Sequence, residues 1–451
     1  MDFEALPDDF RWGVATSAYQ TEGAVSTDGR GRSIWDDFCR TPFAIDNADD
    51  GKQATDSYHR WHDDLDLLRK LGVNSYRFSI AWPRIQPTGS GSVNVAGLDH
   101  YDRMVDDMLA AGITPFVTLY HWDLPSTLQE SGGWVNRDTA LRFADYAGIV
   151  AGRLGDRVTD WSTINEPLCC AWIGHLEGRM APGHRDLRSA VHASHHLLLG
   201  HGLAVRSVRA NARLAPSLGI VLNLSPCEPA TQSEADVQAA ERADGHINRW
   251  WLDPLHGRGY PSGMAALYEV DPPVHDGDLD VISERCDFLG INYYFRMRVV
   301  ADETVATLRF QQVPVDGAPV TAMGWEVHPQ GLRDTLMRVA KEYDTPALIV
   351  TESGAAFEDE PDHDGFVLDP ERSDYLAGHI GATIEAAASG VPVRGYYCWS
   401  LLDNFEWSYG YRPRFGISYV DYETQRRTLK RSGLRYQEII AEHRAATAIG
   451  G

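Results

Sequence analysis

Eight times along the chain, a short β-prone run ends at or near a polar residue and gives way to a segment whose apolar positions recur at three and four. The runs open at Phe10 and then cover 74–80, 114–120, 161–164, 217–223, 287–294, 347–352 and 394–400. Helices are predicted over 55–71, 97–111, 137–154, 187–209, 233–250, 329–343, 371–389 and 431–443. In the first of these, Trp61, Leu65, Leu68 and Leu71 share one face and Gly72 stops the helix. Such alternation calls for parallel strands joined by helices, wound either as an open sheet or as a closed barrel. The strand ends favour the barrel. Gln20, Arg77, His121, Glu166, Asn223, Asn292, Glu352 and Trp399 fall at or near the ends of eight different strands, whereas an open sheet concentrates its chemistry at one switch point. No GxGxxG follows a strand and no GxxxxGK[ST] occurs, so a nucleotide site is not expected. The expected fold is α/β, a single (β/α)8 TIM barrel with its active site at the C-terminal ends of the strands. A chain of 451 residues could also hold two or three domains, but it shows no low-complexity tract or short repeat, and residues 1–451 read most simply as one catalytic domain.

Two of the strands deliver glutamates. The run from Trp161 to Ile164 leads through Asn165 into Glu166 and is cut short by Pro167. Proline lacks an N–H and disfavours helix in the residue before it, so Glu166 is expected to be extended, its side chain aimed out of the sheet. The second run, from Ala347, is continuously apolar, as suits a strand buried on both faces, until it reaches Glu352 and turns at Gly354. One glutamate at a strand end is ordinarily a helix cap or a solvated loop residue. A pair is the equipment of glycoside hydrolysis, in which one carboxyl protonates the leaving oxygen and the other acts as nucleophile or base.

Composition narrows the partners. A formal net charge of −23 argues against a nucleic acid or an anionic membrane, whose phosphates it would repel. No apolar run is long enough to cross a bilayer, and Met1 to Pro7 carries acids where an export signal would carry Lys or Arg, so a cytoplasmic location is expected. The six cysteines, Cys39, Cys169, Cys170, Cys227, Cys286 and Cys398, show no CxxC spacing and are read as free thiols. Cys169 and Cys170 follow Glu166 closely, but no base is recognisably placed beside them, and both are expected to pack. His192 and His196 lie four apart on one predicted helix near His195 and His201, yet no acid or cysteine is interleaved and Leu197, Leu198, Leu199 and Leu203 mark the helix as packed. No metal and no cofactor is expected. A pyranose offers hydroxyls that need donors and acceptors, and a C–H face that an indole covers; Gln, His, Asn, Glu and Trp at strand ends supply both.

Three motifs stand in a familiar order: Phe10-Arg-Trp-Gly-Val-Ala-Thr-Ser-Ala-Tyr-Gln-Thr-Glu-Gly23, then Thr163-Ile-Asn-Glu-Pro167, then Val350-Thr-Glu-Ser-Gly354. They resemble the N-terminal, acid/base and nucleophile motifs of glycoside hydrolase family 1, and nearly the whole chain is similar to its bacterial retaining β-glucosidases. The resemblance implies a small-molecule β-glycoside or oligosaccharide substrate, with Glu166 as acid/base and Glu352 as nucleophile. By the same resemblance Arg77 holds the nucleophile ionised and Tyr294 hydrogen-bonds it. Gln20, His121, Asn165, Glu406 and Trp407 resemble the ligands of the sugar hydroxyls, and Trp399 the floor on which the ring stacks. Trp122 and Asn292, at strand ends in the same region, are added to the substrate-binding set, and Trp325 resembles the aromatic residue that faces the aglycone.

The chain departs from the family's pattern at three places. Ser353 stands where asparagine is usual, Leu168 where bacterial members often carry tryptophan, and His175 where they carry an aromatic residue. The first alters the surroundings of Glu352 and the other two the aglycone side. A 6-phospho-β-glucosidase of the same fold would have a small residue in place of Glu406 and a basic residue nearby; a glutamate there repels phosphate. A silent sugar-binding barrel would have lost one of the two glutamates, and both are kept.

Overall fold

The computed structural model describes residues 3–450, and its main sheet closes into the expected barrel. Strands β1 (Arg11–Ala15), β2 (Ser75–Ser79), β3 (Thr114–Tyr120), β4 (Asp160–Asn165), β5 (Ser217–Asn223), β6 (Phe288–Asn292), β7 (Leu348–Ser353) and β8 (Val393–Trp399) lie side by side in chain order. Every neighbouring pair is parallel, and β8 returns to β1 in register from Arg11 opposite Gly395 to Ala15 opposite Trp399. Closure removes the unpaired edges that an open sheet would expose. It also gathers all eight C-terminal strand ends at one mouth.

The principal outer helices are α1 (Trp61–Leu71), α2 (Val95–Ala110), α3 (Asp138–Leu154), α4 (Leu187–Asn211), α5 (Glu234–Asp244), α6 (Pro329–Glu342), α7 (Pro370–Ala388) and α8 (Arg431–Gly450). Apart from α5, their apolar stripes cover the outer face of the strands. Helix α5 packs Ala239, Ala240 and Ala243 against Val299 and Phe310 outside the barrel. Below the mouth the barrel is filled by rings: Phe116 meets Phe288 and Tyr397 edge to face, at 5.5 and 5.4 Å between centroids. Gly13 makes room for them, because a Cβ there would lie 2.2 Å from the Tyr397 ring. The interior is therefore a packed floor under the site and not a channel.

Two predicted helices are corrected. The first begins at Trp61 and not at 55, because Ala54 and Asp56 adopt left-handed backbone (φ 48° and 51°) and divert the chain into turns. The segment 233–250 is not one α-helix: α5 ends at Asp244, Gly245–Arg249 is wound as a π-helix, and Trp250–Leu255 resumes α. A π-helix also spans Cys169–Glu177, directly after Glu166. Small sheets decorate the mouth side: Cys227–Pro229, Met297–Ala301 and Phe310–Gln312 form one, and Ser418–Val420 pairs with Arg427–Leu429 in another. Among the described residues, no helix is long and apolar enough to cross a membrane.

Under the loop after β8 lies a balanced buried charge cluster. Lys430 contacts Asp359 and Asp403 (2.6 Å to the latter), Arg372 contacts Asp369 and Asp359 (3.0 Å to the latter), and Arg414 contacts Asp403 at 2.7 Å. Lys430→Met is expected to cost about 3–5 kcal/mol of stability by stranding buried carboxylates. Urea unfolding checks it; a midpoint shift worth under about 1 kcal/mol would contradict it.

Candidate active site

Glu352, near the end of β7, is buried with a donor on each oxygen: Arg77 Nη1 at 2.6 Å on Oε1 and Tyr294 OH at 2.6 Å on Oε2. Arg77 belongs to the middle of β2 and points inward, so its guanidinium spans the barrel. It also donates to Thr118 Oγ1, the Thr351 carbonyl and Asn165 Oδ1, at 3.1, 3.2 and 2.7 Å. Gly354 ends the strand because nothing larger fits: a Cβ would lie 1.7 Å from the Trp399 carbonyl oxygen. Ser353 is buried and faces Tyr375 OH at 3.5 Å, so both partners of Glu352 are kept despite the departure from asparagine.

Glu166 follows β4 and is likewise buried. The expected extended backbone is wrong: its φ is 45°, in the left-handed region, with its N–H donating to the Val221 carbonyl of β5 at 2.9 Å. Trp122 (φ 80°) and Trp407 (φ 53°) are left-handed too. Strain of this kind gathers at functional sites. Asn292 Nδ2 donates to Glu166 Oε1 at 2.6 Å and Cys169 Sγ to Oε2 at 3.1 Å.

The other named residues gather around this pair. Asn165 Nδ2 lies 3.2 Å from His121 Nε2, and the Trp122 indole donates to the Asn165 carbonyl at 2.8 Å. His121 stacks between Trp399 and Trp407, at 5.8 and 6.0 Å. Gln20 sits in a one-turn helix, Ala18–Thr21, donating to Asn404 Oδ1 and the Phe405 carbonyl, and lies 3.5 Å from Glu406 Oε2. Trp325 stands further out, against Tyr294, Phe295 and Phe415. Leu168 and His175 are both buried.

Charge is distributed unevenly among the carboxyls. Burial, and after it the charge of Glu352, pushes Glu166 up to about 7. Burial followed by Glu352 and Glu166 pushes Glu406 up to about 8. Tyr294 is raised well above its ordinary value, chiefly by burial, and His121 is lowered well below, again chiefly by burial, so near neutrality the first is a phenol and the second a neutral imidazole.

Three contributors escaped the sequence reading. Asn404 holds Gln20. Cys169 touches Glu166, which its position three residues further on could have suggested. Arg296 binds Glu326 through two contacts (2.8 and 2.9 Å) and Glu228 at 2.9 Å, fixing the loop that carries Trp325; residues this far apart leave no local signal. Arg296→Ala is expected to raise KM for aryl glucosides about three- to tenfold with kcat little changed, the pattern of lost uniform binding. Steady-state kinetics check it, and a fall in kcat at constant KM would contradict it.

Three of the four histidines on α4 have ordinary hydrogen-bond partners: Asp278 and Tyr260 for His195, the Trp134 carbonyl for His196, Thr163 for His201. All six cysteines are unbridged. A cavity of about 420 Å³ lies at the opposite ends of β5 and β6, lined by His201, Ile220, Cys286, Phe288 and Leu289, and none of the mouth carboxyls reaches it.

A closed β/α barrel with two buried carboxyls at its mouth, one held by an arginine and a tyrosine and the other raised to about 7, walled by indoles and amides, defines a glycosidase. The chain belongs to glycosyl hydrolase family 1, whose model matches residues 3–445. It is 46% identical over 444 residues to β-glucosidase A of Thermotoga maritima, covering 98% of each chain. It is 45% identical to a bifunctional β-D-glucosidase/β-D-fucosidase of Bifidobacterium breve, covering 98% of this chain and 99% of that one. Among solved structures, the family 1 β-glucosidase of T. maritima in complex with glucoimidazole superposes with a TM-score of 0.94 at 45% identity, covering 97% of this chain and 99% of that one.

Proposed function

We propose that the protein is a retaining β-glucosidase that releases terminal β-linked glucosyl residues from small β-glycosides or oligosaccharides, with galactosyl and fucosyl residues as the further candidates. Residues 1–451 then act as one catalytic domain, in the cytoplasm. The observation that carries the reading is the division of labour between the two carboxyls: Glu352 accepts from Arg77 and Tyr294 while Glu166 is pushed up to about 7. A buried carboxyl that keeps its proton takes the acid role, beside a second carboxyl placed to act as nucleophile.

Glu352 attacks the anomeric carbon as Glu166 protonates the departing oxygen, giving a glycosyl ester on Glu352. Glu166, now a carboxylate, takes a proton from water, which displaces the sugar from Glu352 with net retention. Trp399 is the floor beneath the ring. Gln20, His121, Asn165, Asn292, Glu406 and Trp407, with Trp122 behind them, meet its hydroxyls, and Trp325 faces the aglycone.

The names of the relatives support glucose and fucose as sugars the pocket accepts. A 6-phospho sugar is disfavoured because the charge of Glu352 acts on Glu406, and a phosphate placed there would meet the same repulsion. Rates on aryl β-glycosides with and without a 6-phosphate test the reading; preference for the phosphate would overturn it. Glu406→Ala is expected to lose roughly 2–4 kcal/mol of transition-state binding, read from kcat/KM on aryl glucosides. A loss below about 1 kcal/mol would remove Glu406 from the pocket's working groups.

A further inference from the structure

A chain of hydrogen bonds settles which oxygen of Glu166 carries its proton. Arg77 can only donate, so the atom of Asn165 that it meets at 2.7 Å is the carbonyl Oδ1. The Asn292 atom 3.1 Å from that same oxygen must then be its nitrogen, which leaves Asn292 Oδ1 to accept from Thr351 Oγ1 at 2.7 Å. The same Asn292 nitrogen meets Glu166 Oε1 at 2.6 Å. Oε1 therefore always accepts, and the transferable proton belongs on Oε2. The partner of Oε2 is Cys169 Sγ, at 3.1 Å.

Cys169 opens the π-helix Cys169–Glu177, and its N–H is tied to the Glu166 carbonyl at 3.0 Å. On its far side Asn223 Nδ2, from the end of β5, lies 3.8 Å from the sulfur. That amide supplies a donor to the sulfur lone pair and leaves the S–H to point at Glu166. A thiol is a weak donor and a weaker acceptor, so it favours the carboxylate form of Glu166 over the acid form. Burial and the nearby acids hold Cys169 as a thiol.

We propose that Cys169, seated by Asn223, is a positioning residue for Glu166: its thiol donates to Oε2 whenever Glu166 is a carboxylate and frees that oxygen to carry the proton otherwise. The inference rests on Glu166 being the acid/base. It assigns Asn223 a role at its strand end, and it makes the thiol matter most in the second half of the reaction, where Glu166 must be a base.

The groups facing Glu166 are Glu352, Glu406, Arg77, Tyr294, Cys169 and Cys170, and replacing Cys169 leaves the other five in place. Cys169→Ala should move the alkaline limb of kcat/KM upward by about half to one pH unit. It should also lower kcat on a dinitrophenyl glucoside, whose turnover is limited by deglycosylation, about three- to tenfold. Cys169→Ser, which restores a donor, should bring both back to the parent or beyond. Should the alanine variant fail to fold, Asn223→Ala is expected to shift the limb in the same direction by a smaller amount. Limbs that coincide within about 0.2 units in every folded variant, against the expected half to one, would overturn the proposal. Glu166→Ala with added azide separates the two readings. Azide that restores turnover on the dinitrophenyl glucoside upholds Glu166 as acid/base and leaves the thiol to stand or fall on the pH profiles. Azide that restores nothing removes the acid/base assignment, and the proposal falls with it.

Discussion

Glu352→Gln is expected to bring hydrolysis of aryl β-glucosides almost to a halt, lowering kcat on the order of 10⁴-fold or more, because an amide cannot form the glycosyl ester. The loss should be chemical and not structural. Glutamine keeps an acceptor for Arg77, which otherwise would be a buried guanidinium short of one of its four partners. The parent enzyme should complete the argument. A 2-deoxy-2-fluoro glucoside with a good leaving group destabilises both positively charged transition states while its leaving group rescues only the first, so an ester should accumulate. Peptide mapping should find it on Glu352. A label on any other residue, or a Glu352→Gln variant within tenfold of the parent, would sink the nucleophile assignment.

The barrel and most of its mouth were legible because both depend on periodicity and on where strands stop. Each strand announces itself by a run of apolar or β-branched residues, and closure follows once eight different ends carry polar groups. Arg77 and Glu352 were found for that reason, Tyr294 came only from the family resemblance, and the three meet within hydrogen-bond distance. What stayed hidden depends on backbone geometry that residue types do not encode. Pro167 restricts Glu166, but the choice of φ 45° over an extended backbone follows from the N–H reaching across to Val221 on β5, a partner fifty-five positions away. The π-helix after it has no sequence period to betray it, so Cys169 read as packing although its sulfur touches the acid/base candidate. Arg296 escaped for another reason: its partners Glu228 and Glu326 come together only when three distant segments meet at the mouth.

The field inside the pocket is also something that only the assembled mouth could reveal. From the sequence, two carboxyls of a retaining enzyme stand about 5 Å apart. At an effective dielectric near 20 this is roughly 3 kcal/mol of repulsion, or about 2 pK units, enough to account for a protonated Glu166 without help from burial. In the folded enzyme burial is the larger cause, and the charge of Glu352 comes second. Arg77 opposes both, and the hydrogen bonds from Asn292 and Cys169 oppose them too. Removing the charge of Glu352 should therefore lower the Glu166 value while leaving it above that of a free glutamate, since burial remains. Carbon NMR of labelled Glu166 should show a midpoint near 7 in the parent. In Glu352→Gln it should lie about one to two units lower. The sign matters for turnover: kcat/KM should fall as pH rises through 7, where the leaving group loses its proton donor. Once the glycosyl ester forms, the same loss of charge makes Glu166 acidic enough to serve as base. A midpoint that moves by less than about half a unit would leave burial alone to keep Glu166 protonated. The switch from acid to base would then need another source, and the contact with Cys169 is the one within reach.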